Sequence, residues 1–205
     1  MAIATNELTS LVTQFRKAID AAYATGKFEN EILFKHFPTG CCGDAVDLLG
    51  QYLLENGIDS YYVCGNYNFK DPELNAQSHA WLTVGALIVD ITGDQFKHKS
   101  EFLFYDRPVF IGKSDKFHSL FKVKDRDVHP FIGIENLNFA YPRLSMLYKI
   151  ITEYQIEAIR TMRTFAIMVS YLEVIPYMHM RIDSYVMIDY PKVDMHLAAL
   201  AYCKT

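Results

Sequence analysis

Several features that would assign a protein to a class are missing from this 205-residue sequence. It has no run of about 18 uncharged apolar residues, the minimum for a membrane-spanning helix. Charged residues interrupt segment 6–24, which predicts an amphipathic helix there and not a secretory signal peptide. The 20 basic residues do not outnumber the 24 acidic ones, and the formal charge of −4 argues against a nucleic-acid-binding platform. We therefore expect neither a membrane nor a nucleic acid as a partner.

Cysteine is also scarce, and its spacing matches neither a disulfide framework nor a common zinc motif. Two of the four cysteines are adjacent, where an ordinary disulfide is strained; the four are Cys41, Cys42, Cys64 and Cys203. This usage favours a reducing compartment, and we expect a cytoplasmic protein, with secretion by a leaderless route left open. No cofactor is expected.

The residues that are present predict one packed α+β protein, since 51% of them are hydrophobic and no linker, repeat or low-complexity tract divides the chain. We place a boundary near residue 130, between a core at 1–130 and a helical extension at 131–205 that could pack on the core as one domain. Segment 69–77 is expected to be a loop, and 115–129 has no clear period. The expected helices are 5–24, 28–37, 42–56, 142–153, 156–172 and 193–202, and the expected strands are 59–66, 79–84, 87–92 and 108–111.

Gly85 and Ala86 predict a two-residue hairpin turn between the second and third strands. In that register six apolar residues share one face of the hairpin: Ala80, Leu82, Val84, Leu87, Val89 and Ile91. A slip of one residue would expose this set, which favours the register. His79 and Asp90 then lie on the other face as diagonal neighbours, with Cβ atoms about 7–8 Å apart. The hairpin therefore predicts a contact between imidazole and carboxylate.

Cys42 opens the apolar pattern of the 42–56 helix. A helix N-terminus favours the thiolate form of a cysteine. His79 could accept the thiol proton, and Asp90 could orient and stabilise the imidazolium. The backbone N–H of Cys42 and the side chain of Gln95 are candidate donors to an oxyanion. Trp81, beside His79, either lines the cleft or belongs to the core.

These motifs resemble the transglutaminase-like cysteine peptidases and amidases of the papain-like fold. The resemblance covers about residues 38–96 and rests on Gly40-Cys41-Cys42, Gly57-Ile58, Ser78-His79-Ala80-Trp81 and Asp90-Ile91-Thr92. It implies a papain-like core in which Cys42 is the nucleophile, His79 the base and Asp90 the third member of a triad. It also implies cleavage of an amide bond or transfer of its acyl group, with a peptide or protein as substrate.

Three alternatives stay open at this point. Cys41 is the alternative nucleophile, or a small buried hydrophobe, and the adjacent pair could also be a redox switch. A zinc site of Cys41, Cys42, His79 and Asp90 is the rival chemistry, but adjacent cysteines rarely point at one metal, so we predict none. The chain could also be an inactive papain-like module that binds a protein or peptide. Among reactions, hydrolysis ranks above transfer because no acceptor site is recognisable.

Overall fold

The computed structural model describes residues 3–67, 77–99, 102 and 104–179, without the side chains of 159, 162 and 165–179. The chain divides into two compact units, Met1–Thr161 and Met162–Thr205. The boundary expected near residue 130 falls inside the first unit, where Phe131, Leu144 and Ile151 belong to the main core. Among the described helices, none combines the length and the hydrophobicity needed to cross a membrane.

The described part is α+β, as the sequence predicts. Its helices are α1 (Thr5–Ala24), α2 (Cys42–Glu55) and α3 (Tyr141–His179). Its five strands are β1 (Tyr61–Tyr67), β2 (Gln77–Val84), β3 (Leu87–Asp90), β4 (Phe110–Gly112) and β5 (Lys122–Pro130). They form one antiparallel sheet in the order β4-β3-β2-β1-β5.

The two N-terminal α-helices form where the apolar period predicts them. Leu8, Val12, Phe15 and Ile19 follow a helical spacing along α1 and are fully buried. The ring of Phe15 stacks on Tyr52 of α2 with centroids 5.0 Å apart, which joins the two helices. These helices pack on one face of the sheet together with the beginning of α3.

Two helical predictions need correction. Segment 28–37 holds only a 3-10 turn, Phe34–His36, because its phenylalanine rings pack against one another in the core instead of following a helical stripe. The segments 142–153 and 156–172 belong to the single helix α3, since Tyr154 and Gln155 continue its periodicity without a break. The predicted helix 193–202 lies outside the described residues, as does the loop 69–77 apart from Gln77.

The predicted hairpin register is confirmed. Leu82 pairs with Val89 and Val84 with Leu87, and Gly85 takes the positive φ of 57° that favours glycine at the turn. Both faces of the hairpin are covered, so burial of the apolar face alone does not select this register. The second face carries the aromatic layer, defined by Trp81, Phe96, Phe102, Tyr105, Phe110, Phe117 and Phe121.

Strand β5 lies almost entirely in segment 115–129, where no period in the sequence predicts a strand. Its side chains are almost all exposed, so they show no alternation of apolar and polar residues. Its backbone pairs with β1, with Tyr61 opposite Pro130 and Gly65 opposite Val123. The charged sequence suits an edge strand, where charge discourages pairing with another chain.

Candidate active site

Cys42 is the first residue of α2 and lines a cavity of about 300 Å³. The cavity opens beside the start of β2 and the 3-10 turn Gly93–Phe96 that follows β3. Its lining combines hydroxyl, amide and ammonium groups with one aromatic ring: Thr39, Gly40, Cys42, Gln77, Ser78, Gln95, Phe96 and Lys99. The thiol therefore lies in a small polar cleft within the first unit.

The environment of the Cys42 thiol favours ionisation. Burial by itself raises the pKa of Cys42. A hydrogen bond and the charge of His79, the backbone of Ala80 and the side chain of Gln95 together outweigh burial and lower the pKa below that of an ordinary thiol. The thiolate is thus supported by hydrogen bonds as well as by the helix N-terminus.

Cys41 has the opposite environment. Only 1% of this residue is exposed, and its Sγ donates to the carbonyl of Pro38 at 3.4 Å. Burial, reinforced by the neighbouring Cys42, raises the pKa of Cys41 to about 12. Cys41 is therefore a protonated thiol inside the main core, and both adjacent cysteines are free.

His79 and Asp90 meet as the hairpin predicts. Nε2 of His79 lies 2.8 Å from Oδ2 of Asp90, and both residues are fully buried, at 0% and 1% exposure. The other carboxylate oxygen accepts the backbone N–H of Thr92 at 2.8 Å. Because an ionised carboxylate only accepts hydrogen bonds, the contact assigns a proton to Nε2 and leaves Nδ1 as the basic nitrogen.

Opposing effects set the protonation of this couple. Burial alone lowers the pKa of His79, but the charge and hydrogen bond of Asp90, followed by those of Cys42, raise it to about 9. Burial likewise tends to raise the pKa of Asp90, while the imidazoles of His79 and His118 hold it below its usual range. The arrangement therefore stabilises a protonated imidazole beside an ionised carboxylate.

Gln95 lies next to the thiol and the imidazole. Its Nε2 donates to the carbonyl of Thr92 at 3.0 Å and lies 3.2 Å from Nδ1 of His79. Its Oε1 accepts the backbone N–H of Gly40 at 3.3 Å, which defines the orientation of the amide. The structure thus brings the nominated Gln95 into the cleft together with Cys42 and His79.

Trp81 is a core residue in this structure. Its side chain is 3% exposed and belongs to the aromatic layer. Its ring centroid lies 5.7 Å from that of His79, so it packs beside the imidazole, and it is absent from the lining of the cavity. Of the two interpretations of Trp81, core packing is the one that the structure shows.

His118 is a member of this cluster that sequence reasoning missed. Its Nε2 lies 3.0 Å from Oδ2 of Asp90, the same oxygen that contacts His79, and its Nδ1 lies 2.7 Å from Oδ1 of Asp115. The pair sits in segment 115–129, which had no assignable period. The three-residue spacing of Asp115 and His118 was the one available signal.

A metal could be held by His79, Asp90 and His118, whose ligand atoms lie within 4.8 Å of one another. These three are one ligand short of a closed tetrahedral zinc site. Their separations of 2.8 and 3.0 Å are ordinary hydrogen-bond lengths. Neither Cys41 nor Cys42 joins such a group within the described residues, so the zinc set considered from sequence is not assembled.

Arg16 is a second residue whose role emerges only from the structure. It is 5% exposed, and its guanidinium binds the carboxylate of Asp94 with two hydrogen bonds of 2.8 and 3.0 Å. It also donates to the carbonyl of Pro108 at 2.9 Å. Arg16 therefore anchors the turn that carries Gln95 to helix α1.

Comparison with known proteins adds no relative. No family model matches the chain, and no curated protein and no solved structure matches it at a significant level. The likeness to transglutaminase-like cysteine enzymes therefore rests on the short motifs alone and stays a prediction.

Proposed function

We propose that this protein is a cysteine-dependent hydrolase of amide bonds with a papain-like, transglutaminase-like core. In this proposal Cys42 is the nucleophile, His79 is the base and Asp90 is the carboxylate that orients the base. One observation carries the proposal: Cys42 lies at a helix N-terminus in an open cleft, interaction with His79 lowers the pKa of its thiol, and Nε2 of His79 lies 2.8 Å from Oδ2 of buried Asp90. A nucleophile, a base and an orienter in hydrogen-bonded series are the parts that such chemistry needs.

Transfer of the thiol proton from Cys42 to Nδ1 of His79 gives the thiolate–imidazolium pair that the pKa shifts of both groups favour, and the reaction begins from this pair. The thiolate attacks the substrate carbonyl carbon and forms a C–S bond. The carbonyl oxygen becomes an oxyanion, which the backbone N–H of Cys42 and the amide of Gln95 are placed to stabilise. Collapse breaks the C–N bond, and the leaving nitrogen takes the proton from His79. Water, deprotonated by His79, then cleaves the thioester and regenerates the thiol site.

The side-chain amide of Gln95 can donate to the oxyanion once His79 is protonated. While His79 is neutral, Nδ1 can accept a hydrogen bond from the amide of Gln95. Once Nδ1 carries the proton from Cys42, it can no longer accept, and that amide N–H is released. The amide N–H of Gln95 is then available when negative charge develops on the substrate oxygen.

Hydrolysis of a peptide or protein substrate ranks above acyl transfer, because neither the sequence nor the described lining of the cleft indicates a separate site for an acceptor. A reduced Cys42 requires a reducing compartment, and a cytoplasmic location is part of the proposal. The alternative is an inactive papain-like module that binds a peptide or protein through the same cleft.

Thiol labelling tests the proposal without knowledge of the substrate. With iodoacetamide at pH 7, we expect Cys42 to react faster than free cysteine, because its lowered pKa raises the fraction of the thiol present as thiolate. An activity-based thiol probe followed by peptide mapping should place the label on Cys42. The comparison uses Cys42→Ala, Cys41→Ala and His79→Ala.

The three variants separate the roles. Cys42→Ala should abolish fast labelling, whereas Cys41→Ala should leave it unchanged because that thiol is buried and protonated. His79→Ala should move the midpoint of the pH–rate curve upward. Labelling of Cys42 no faster than free cysteine would favour the inactive module, and fast labelling that survives His79→Ala at pH 7 would contradict the proposed base.

A further inference from the structure

Oδ2 of Asp90 lies within hydrogen-bond distance of two imidazoles. It lies 2.8 Å from Nε2 of His79 and 3.0 Å from Nε2 of His118. The proposed triad of Cys42, His79 and Asp90 uses only the first of these contacts. The second contact links the candidate triad to a group on the opposite side, away from the thiol.

His118 is itself held by a second carboxylate. Oδ1 of Asp115 lies 2.7 Å from Nδ1 of His118 and accepts the backbone N–H of the same residue at 2.8 Å. Ionised carboxylates only accept, so each ring contact takes an N–H from the imidazole. Each ring nitrogen of His118 is therefore directed at a carboxylate oxygen.

Packing leaves His118 little freedom to leave this position. The residue is 5% exposed. Its ring centroid lies 5.1 Å from Trp81, 5.1 Å from Phe110 and 5.0 Å from Phe117, all in the aromatic layer. The ring of His118 is fixed by these aromatic contacts and by its hydrogen bonds to Asp90 and Asp115. It can therefore restrict the orientation of the Asp90 carboxylate.

We propose that His118 is a positioning residue of the thiol site, which fixes the Asp90 carboxylate and shares its negative charge with His79. This inference rests on the proposed function, because the site that it serves is the Cys42 thiol. A carboxylate that is shared between two donors stabilises a protonated His79 less than an unshared one does. His118 therefore keeps His79 able to give its proton to a leaving group.

Several titratable groups surround His118 and bear on any measurement of pH dependence. Asp90 and Asp115 contact it directly, and the rings of His79 and Tyr105 lie 6.2 Å from it. Arg107 packs over the ring of Phe110, which is the neighbour of His118 on the side of β4. The test therefore follows His79 itself instead of a bulk property.

The experiment measures the ring-proton titration of His79 by ¹⁵N NMR in the full-length protein, with His79→Gln to assign the signal. Replacing His118 by leucine removes the donor to Asp90, so the His79 midpoint should rise by about one pH unit, the equivalent of a lost hydrogen bond to a charged group. The variant His118→Gln retains an N–H donor and should therefore show a smaller rise. Asp115→Asn, which weakens the hold on His118, should shift the midpoint in the same direction.

An exposed histidine supplies the matched control, since His129→Gln should leave the His79 midpoint unchanged. A purely structural role predicts a lower melting temperature with no shift in the midpoint. If the leucine variant does not fold, His118→Gln and Asp115→Asn still decide the question. An unchanged midpoint in the folded variants overturns the role of His118, even when Cys42 labels rapidly. Slow labelling of Cys42 in the unaltered protein overturns the proposed function and the link to the thiol, even when the midpoint moves.

Discussion

At the scale of single residues, adjacent cysteines differ because a helix start turns them in different directions. Cys41 points into the main core, where burial raises its pKa to about 12. Cys42 points at the cleft, where hydrogen bonds from His79 and its neighbours lower its pKa in spite of burial. One step along the chain therefore separates an inert thiol from a candidate nucleophile.

Asp47 leads to a prediction at the same scale. Burial, with a smaller contribution from the nearby carboxylate of Asp44, raises the pKa of Asp47 to about 7. The folded state thus holds a proton that the unfolded state loses near pH 4, and stability falls as the pH rises between these values. We expect Asp47→Asn to raise the free energy of unfolding by about 1 kcal/mol at pH 8, after allowance for solvent screening.

Urea unfolding at pH 8 and pH 4 checks this expectation. The gain should be small at pH 4, where Asp47 is protonated in the folded state and about half protonated in the unfolded state. Asp59→Asn removes an exposed carboxylate and the same charge, so it should give no comparable gain at pH 8. An equal gain from both substitutions would mean that net charge, and not the environment of Asp47, is responsible.

At the scale of elements, Arg16 ties helix α1 to the turn that carries Gln95. The guanidinium binds Asp94 inside the protein and Asp20 at the surface, where Asp20 is about half exposed. A buried charge that loses its partner costs far more than an exposed one. The link between helix and turn therefore depends on the inner pair.

We expect Arg16→Met to lower the free energy of unfolding by about 3 kcal/mol, since it leaves the Asp94 carboxylate buried without its partner. Asp20→Asn, the control at the exposed partner, should cost less than about 1 kcal/mol. Chemical denaturation of both variants measures the difference. The double variant Arg16→Met/Asp94→Asn should recover part of the loss, and the lack of any recovery would show that packing of the arginine chain dominates.

At the scale of the whole molecule, strands β2 and β3 are covered on both faces, by helices on one and by the aromatic layer on the other. Ionisable groups trapped between these layers make stability depend on pH. The raised pKa of His79 contributes stability that is complete below its ordinary value of 6.5 and is lost as the pH rises through about 9. The lowered pKa of Asp90 contributes stability that is present above its ordinary value of 3.8 and is lost in stronger acid.

Together with Asp47, whose contribution to stability falls from about pH 4 to 7, these shifts predict a melting temperature that is highest at about pH 4 to 5 and declines toward pH 9. Differential scanning calorimetry across this range tests the profile. His79→Gln should flatten the decline between pH 6.5 and 9, because the titrating group is gone. A melting temperature that keeps rising up to pH 9 would contradict a protonated His79 in the folded state.

Much of the candidate site could be predicted because it depends on local rules. The period of β2 and β3 and the glycine at their turn place His79 and Asp90 on one face. Gly40, two residues before Cys42, and the apolar pattern that follows Cys42 predict a thiol at the start of a helix. The contacts of His118 with Asp90, of Arg16 with Asp94 and of β5 with β1 could not be predicted in the same way, because they join segments that are distant in sequence. The segment that holds His118 and most of β5 also carries no period.

The sequence by itself determined the α+β composition, the hairpin register and the order of thiol, imidazole and carboxylate along the chain, because each follows from backbone geometry over a few residues. Only the tertiary structure decided that Cys42 and not Cys41 faces the cleft, that Trp81 supports His79 from the core, and that His118 shares the Asp90 carboxylate. Burial, desolvation and contacts between distant segments control those choices, and they exist only once the layers have packed.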